Sequence, residues 1–253
     1  MPVPTGYTIA SAQYSARRGD IHANLDSHLR MTEAAAAAGV DFLVFPELSL
    51  TGYEMDLADA LQTTAHDAAF APLQALAAQH DMRVMVGMPL KAVSGKPYIG
   101  SIIFGGASPV TYNKVHVHES EAPYFQGDDK VGLIEHKGAR IGLAICADLN
   151  HASHAAKAAD CGAEIYAASA LISTNGYARE AKMLEGYARE HGMAVMLANY
   201  ATQSGDYIPP GGSAIWDESG HQVAIMDDTE VALVMATKTA ENGWVGKVQA
   251  FSS

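Results

Sequence analysis

Short apolar runs alternate along this chain with segments of helical periodicity, and few folds are compatible with that alternation. Residues 41–46 (DFLVFP) and 140–146 (RIGLAIC) are continuously apolar, which is typical of strands buried on both faces. Residues 20–38 instead carry apolar side chains at helical spacing, between Asp20, a residue type that favours N-caps, and Gly39, a type that favours helix ends. The alternation predicts an α/β fold in which helices cover layered sheets.

The same criteria assign elements along the rest of the chain. Further strands are predicted at residues 7–14, 82–88, 98–104, 109–115, 164–168, 193–199, 213–217, 222–226 and 231–237. Further helices are predicted at residues 58–80, 151–159 and 177–191. Because no Pro/Ser-rich linker, charge block or internal repeat divides the sequence, we expect a single domain over residues 1–253.

Composition excludes several classes of protein. The 253 residues include 16 Lys and Arg against 28 Asp and Glu, a net charge of −12, so polyanions such as nucleic acids and anionic membranes would be repelled. No apolar stretch reaches the ~20 residues of a membrane helix, and no secretory signal is recognisable. Two cysteines cannot form a disulfide framework, so we expect a cytoplasmic protein with free thiols, in which Cys161 is a small packed core residue.

Three reactive side chains each follow the carboxyl end of a predicted strand. Glu47 comes after DFLVFP, Lys114 follows PVTYN, and Cys146 ends RIGLAIC. Ligand and catalytic sites of α/β proteins commonly lie beyond the carboxyl ends of strands. Since the three residues are far apart in sequence, only the tertiary structure can bring them together.

The chemistry of these three residue types is complementary. A thiol attacks carbon as the thiolate, and a carboxylate whose pKa is raised by burial can take its proton. A lysine stabilises the thiolate and then the oxyanion that forms when sulfur attacks a carbonyl or nitrile carbon. This chemistry needs no metal and no cofactor. Each residue alone has an ordinary interpretation: Cys146 as core, Glu47 and Lys114 as solvated surface.

Together the three segments resemble the nitrilase superfamily of carbon–nitrogen hydrolases. FPELSLTGY at 45–53 is similar to the superfamily's glutamate motif, YNKVHV at 112–117 to its lysine motif, and GLAICAD at 142–148 to its cysteine motif. Weaker similarities extend from Gln13 to Gly220, which is nearly the whole chain.

The resemblance implies a four-layer α-β-β-α sandwich that commonly forms dimers or higher homo-oligomers. It also implies that Glu47 is the base, Cys146 the nucleophile, and Lys114 with the Ala147 N–H the oxyanion site. A second site glutamate is expected at Glu121, with Glu119 as the neighbouring alternative.

Asp148 and His151 are further candidates for substrate contact, because they closely follow the nucleophile. The sequence departs from the superfamily here: Asn150, His151 and Ala152 replace the usual aromatic–Pro–Glu. Ala147–Asp148 stands where nitrilases tend to have Trp–Glu, which favours amides over nitriles.

The sequence therefore predicts a hydrolase that cleaves a small amide through a cysteine thioester. A nitrile or N-carbamoyl hydrolase with the same trio stays an alternative. A different class of alternative is a catalytically silent binding module that keeps the fold, as the altered segment after Cys146 would allow.

Overall fold

The computed structural model describes residues 2–251, which form one seven-stranded and one six-stranded sheet. The strands are β1 (Thr8–Gln13), β2 (Phe42–Val44), β3 (Arg83–Leu90), β4 (Tyr98–Phe104), β5 (Val110–Asn113), β6 (Gly132–His136), β7 (Ala139–Ile145), β8 (Ile165–Ser169), β9 (Ala194–Ala198), β10 (Ser213–Trp216), β11 (Gln222–Met226), β12 (Ala232–Thr239) and β13 (Gly243–Ala250). The α-helices are α1 (Ile21–Ala37), α2 (Ala58–Leu61), α3 (Ala71–Gln79), α4 (Ala152–Asp160) and α5 (Thr174–His191). Short 3-10 helices span Met55–Leu57, Ala68–Phe70 and Cys146–Asn150.

The two sheets pack face to face with helices on their outer sides. The seven-stranded sheet has the order β13-β12-β1-β2-β3-β4-β5, and the six-stranded sheet has the order β11-β10-β9-β8-β7-β6. Contacts of β1 with β9 and β10, and of β2 with β8, join the sheets. Helix α3 packs on β3 and β4 and also contacts α1, whereas α4 packs on β7 and α5 on β9 and β10. This confirms the predicted four-layer α-β-β-α sandwich.

The continuously apolar strands are buried on both faces, as their sequences predicted. In β7, Ile141, Leu143 and Ile145 point into the core shared by the two sheets, whereas Ala144 belongs to the core under α4 and α5. Strand β8 alternates in the same way, since Ala167 joins the first core and Tyr166 the second. Alternate side chains of a strand point to opposite faces of its sheet, so both faces of these strands must be apolar.

Helix α1 confirms the predicted start at Asp20, whose side chain accepts a hydrogen bond from the Ala23 N–H. The predicted helix over 58–80 is wrong. The chain there forms α2, an extended stretch in which Thr63 bridges to Leu90, and then α3. Pro72 lacks an N–H, and it lies in the first turn of α3, where none is needed.

Two strands were missed, β6 and β13. Both form a sheet edge, and each carries exposed polar side chains among its apolar ones. The expectation for Cys161 is also corrected, because this residue is exposed after the end of α4. Among residues 2–251, no helix is long and apolar enough to cross a membrane.

Candidate active site

Glu47 is held by a tight turn after β2. Leu48 has a φ of 52°, a left-handed conformation that is rare for a branched residue. The turn lies against Gly87 in β3, where an added Cβ would come within 2.1 Å of the Leu48 nitrogen. The Tyr200 hydroxyl donates a hydrogen bond of 2.7 Å to the Glu47 carbonyl. A strained turn fixed by neighbouring backbone and side chains gives the glutamate a defined direction.

Cys146 lies at an equally strained position, between β7 and the 3-10 helix Cys146–Asn150. Its φ is 40°, again left-handed. The chain therefore turns sharply at the thiol, which is partly buried. Ala147 follows in the first turn of the short helix, where backbone N–H groups have no partner within the helix. An N–H at this position is suited to stabilise negative charge beside the sulfur.

Lys114 joins two glutamates in a buried cluster. It follows β5, and its Nζ lies 2.7 Å from Oε1 of Glu47 and 2.7 Å from Oε1 of Glu121. The side chains of all three residues are essentially inaccessible to solvent. A buried ammonium needs such partners, because an unpaired charge in the interior is very costly. The cluster keeps Lys114 charged at the end of its strand.

The protonation of this cluster follows from burial and from the charges within it. Burial raises the pKa of Glu47 to about 7 against the opposing effect of Lys114. Burial alone would lower the pKa of Lys114, but Glu47, Cys146 and Glu121 together raise it above its usual range. Burial and the charge of Glu47 raise the pKa of the Cys146 thiol. At rest the site therefore holds a fixed ammonium and a neutral thiol.

The Cys146 thiol lies near the Glu47 carboxylate but donates its hydrogen bond to another group. Cys146 is close enough to lower the pKa of Glu47. Its Sγ nevertheless donates to the Leu171 carbonyl, at 3.6 Å. Oε2 of Glu47 is buried without a hydrogen-bond partner among the described residues. That oxygen is free to accept a proton.

Of the two candidate second glutamates, Glu121 is the one brought to Lys114, whereas Glu119 is exposed. Oε1 of Glu121 accepts a hydrogen bond of 2.5 Å from the Tyr53 hydroxyl, and Oε2 accepts one of 2.7 Å from the His118 N–H. These bonds fix both oxygens of the Glu121 carboxylate.

Asp148 and His151 both lie outside the lining of the cavity at Cys146. Asp148 is fully buried, and its carboxylate accepts hydrogen bonds from the backbone N–H groups of Ile145 and His116. The carboxylate therefore joins the segment that follows Lys114 to the segment that precedes Cys146. His151 is exposed, and its ring stacks on His116 with centroids 3.7 Å apart.

A cavity of about 170 Å³ opens at Cys146. It is lined by Tyr53, His118, Glu121, Cys146, Ala147, Asn150, Leu171, Ile172, Ser173, Arg179, Glu180 and Tyr207. A larger cavity of about 780 Å³, near Tyr14 and Phe251, contains none of the site residues and is not relevant to this chemistry. Sequence reasoning missed the two wall residues that α5 contributes, Arg179 and Glu180.

This chain is similar to several known proteins. An (R)-stereoselective amidase from a Pseudomonas species is 29% identical over 191 residues, which cover 74% of this chain and 65% of the relative. The glutamine-dependent NAD(+) synthetase of Xanthomonas campestris pv. campestris is 29% identical over 228 residues, or 84% of this chain and 40% of the relative. The chain thus spans less than two thirds of the length of these relatives.

Solved structures give the same fold. A cysteine-to-alanine mutant of the amidase from Nesterenkonia sp. AN1, in complex with butyramide, has a TM-score of 0.82 at 23% identity. The match covers 92% of each chain. Another mutant of that amidase carries the acetamide moiety of fluoroacetamide on its active-site cysteine, with a TM-score of 0.81 at 22% identity over 93% of this chain and 92% of that one. The model of the carbon–nitrogen hydrolase family matches residues 8–241, so this chain belongs to that family.

Proposed function

We propose that this chain hydrolyses small carboxamides through a thioester on Cys146. The observation that carries the proposal is the convergence of Glu47, Lys114 and Cys146 from three strand ends, with Nζ of Lys114 bonded to Glu47 at 2.7 Å beside a cavity at the thiol. A base, a fixed cation and a nucleophile in one place support acyl transfer. Amidases among the similar proteins support an amide as substrate.

The first half of the reaction forms the thioester. Oε2 of Glu47 takes the thiol proton while sulfur attacks the carbonyl carbon, and the C=O π electrons move to oxygen. Nζ of Lys114 and the Ala147 N–H stabilise that oxyanion. Glu47 then gives its proton to the nitrogen, the C–N bond breaks, and ammonia leaves.

The second half returns the enzyme to its starting state. Glu47 takes a proton from water, and the hydroxide attacks the thioester carbon. As the tetrahedral intermediate collapses, the C–S bond breaks, and sulfur regains a proton from Glu47. The carboxylic acid departs.

The shifted pKa values support this division of work. A general base is most effective with a pKa near the working pH, and burial raises that of Glu47 to about 7. Because the pKa of the Cys146 thiol is raised, proton transfer accompanies the attack on carbon rather than preceding it. Lys114 stays charged throughout, so it acts as an electrostatic group and donates no proton.

The central experiment follows ammonia release from a panel of short amides, nitriles and N-carbamoyl compounds. We expect turnover of amides, and its loss in Cys146→Ala with an unchanged circular dichroism spectrum. Cys161→Ala is the matched control, because it removes the exposed thiol, which lies outside the cavity. Equal ammonia release by the wild type and Cys146→Ala would refute the proposal. Faster turnover of nitriles or carbamoyl compounds would select the alternative substrates.

A second experiment tests Glu47 as the base. Iodoacetamide alkylation is followed at both cysteines by mass spectrometry, in the wild type and in Glu47→Gln. We expect the substitution to slow alkylation of Cys146 by at least about tenfold, because general bases contribute roughly 10²–10⁴-fold to such steps. Cys161 is the internal reference and should react at the same rate in both proteins. An unchanged ratio of the two rates would exclude Glu47 as the base.

Assembly and location stay predictions. We propose a homodimer or higher homo-oligomer in the cytoplasm, from the resemblance and from the composition. Analytical ultracentrifugation tests the first, since a sedimenting mass equal to the chain's 26.7 kDa would contradict it. Fractionation of cells that express the protein tests the second.

A further inference from the structure

The wall of the active-site cavity contains a carboxylate that the reaction above does not use. Glu180 lies in the second turn of α5 and is only 9% exposed, yet it lines the same cavity as Cys146. Its charge contributes to the raised pKa of the thiol, so it lies within electrostatic range of the nucleophile. A carboxylate this deeply buried is costly unless donors satisfy it.

Glu180 has one ion pair, and that pair is weak. Nη2 of Arg179 lies 3.2 Å from Oε1 of Glu180, but the Arg179 side chain is 70% exposed. The guanidinium therefore approaches from solvent, where ion pairs contribute little. Adjacent residues on a helix do not face each other, so Arg179 reaches Glu180 from the side. A carboxylate accepts several hydrogen bonds, which leaves Glu180 capacity for another donor.

A glycine of α5 lies close to the Glu180 carboxylate. Gly176, one turn earlier in α5, would place an added Cβ 3.0 Å from Oε1 of Glu180, closer than side chains normally pack. An alanine at this position would therefore require the Glu180 side chain to shift by a few tenths of an ångström.

A depression that adjoins the cavity is acidic as well. This depression of about 460 Å³ shares Tyr53 and Tyr207 with the cavity. Its lining includes the three carboxylates Glu54, Asp56 and Asp206 with a single guanidinium, Arg18, which pairs with Glu54 and Asp56. Excess negative charge next to a cavity raises the local concentration of cations there.

From this arrangement we infer that Glu180 selects small amides that carry a protonated amino group at the end opposite the amide. The inference rests on the proposed amidase function and specifies its substrate class. The ammonium donates to Glu180 while the carbonyl carbon lies at Cys146. The cavity of about 170 Å³ has room for about six water molecules at ~30 Å³ each, so an amide of similar size fits.

The test compares two amides of equal size. 3-Aminopropanamide and butanamide have the same number of heavy atoms and differ by an ammonium in place of a methyl group. At neutral pH we expect the wild type to have the higher kcat/KM for 3-aminopropanamide. Glu180→Gln should reduce the ratio of the two values by at least about tenfold, as expected for loss of a hydrogen bond between charged groups. The loss should appear as a raised KM for 3-aminopropanamide that is larger than any change in KM for butanamide.

Two variants serve as controls. Glu190→Gln removes the same charge from an exposed position of α5 and should leave the ratio unchanged. Arg179→Gln removes the competing guanidinium, so the ratio should stay or rise. If Arg179→Gln lowers the ratio as much as Glu180→Gln does, the pair acts as a structural unit and the inference is wrong. Malonamate has a carboxylate in place of the ammonium. If it is turned over faster than 3-aminopropanamide, Arg179 selects the substrate and the inference about Glu180 is wrong.

The outcomes separate this inference from the proposed function. Turnover of butanamide with a ratio that Glu180→Gln does not change would overturn the role of Glu180 and leave the amidase intact. No turnover of any amide by the wild type would overturn both. If Glu180→Gln fails to fold, the affinities of the two amides for Cys146→Ala, which keeps Glu180, are measured by calorimetry instead. There 3-aminopropanamide should bind at least about tenfold more tightly than butanamide, and equal affinities would refute the inference.

Discussion

Replacing Asp148 with asparagine should weaken both the fold and the active site, because this carboxylate ties two of the catalytic segments together. Its Oδ1 accepts from the N–H groups of Val115 and His116, at 3.1 and 2.8 Å, directly after Lys114. Its Oδ2 accepts from the Ile145 N–H at 3.0 Å, directly before Cys146, and from the Tyr112 hydroxyl at 2.6 Å.

Asparagine keeps the shape of Asp148 but supplies only one acceptor oxygen. With that oxygen at the Oδ1 position, its NH₂ group opposes the Ile145 N–H, and a buried donor loses its partner at a cost of ~1–3 kcal/mol. The bonds at the other oxygen lose their charge assistance, which adds ~1 kcal/mol. The sum is about 2–4 kcal/mol, or a fall in Tm of about 4–16 °C for a chain of this size.

We expect a larger effect on the rate than on stability, because displacing catalytic groups by about 1 Å can lower the rate about 100-fold. We therefore expect kcat/KM to fall about 100-fold in Asp148→Asn at a temperature where the protein is folded. Calorimetry and ammonia release measure the two effects. Asp26→Asn, at an exposed position of α1, is the matched control and should change neither. A Tm within about 2 °C of the wild type would refute the bracing role.

Three further outcomes follow from the site. Since Glu47 must be unprotonated to act as a base and burial raises its pKa to about 7, kcat/KM should fall tenfold per pH unit below that value, as a pH–rate profile would show. The charge of Glu121 raises the pKa of Glu47, so Glu121→Gln should move that midpoint to lower pH; an unmoved midpoint would contradict the coupling. Gly87→Ala should destabilise the protein by about 1–3 kcal/mol in denaturant unfolding, because the added Cβ meets the Leu48 nitrogen at 2.1 Å; full stability would show that the turn at Glu47 can shift.

The elements that could be predicted from the sequence are those whose burial requires a recognisable pattern of apolar residues. Strands β7 and β8 are apolar on both faces and were found close to their true bounds. The edge strands β6 and β13 face solvent along part of their length, so their mixed sequences gave no signal. The Ala- and Leu-rich stretch at 58–80 kept helical periodicity across a break that is set by a tertiary bridge, Thr63 to Leu90.

The same distinction applies to the site. Glu47, Lys114 and Cys146 could be nominated because each lies within three residues of the end of a strand, in a segment that resembles a motif of the superfamily. Glu180 could not, because its position in the cavity depends on how α5 packs, and its local sequence resembles any solvated helix. Asp148 was assigned to the substrate because it lies two residues from the nucleophile. In a 3-10 helix neighbouring side chains point in different directions, so closeness in sequence did not bring it to the cavity.

In the proposed mechanism, the charge balance of the buried cluster explains why a lysine stands in place of a neutral oxyanion donor. Glu47, Cys146 and Glu121 raise the pKa of Lys114 above its usual range, so Lys114 enters the reaction as a cation. With Lys114 fixed as a cation, the proton moves only among Cys146, Glu47 and the substrate nitrogen or water. When Glu47 takes the thiol proton it loses its negative charge, and the carbonyl oxygen gains one. Both oxygens lie next to the Lys114 ammonium. The net charge of the buried site is therefore constant through acylation, and no step requires an additional uncompensated charge in a region of low dielectric constant.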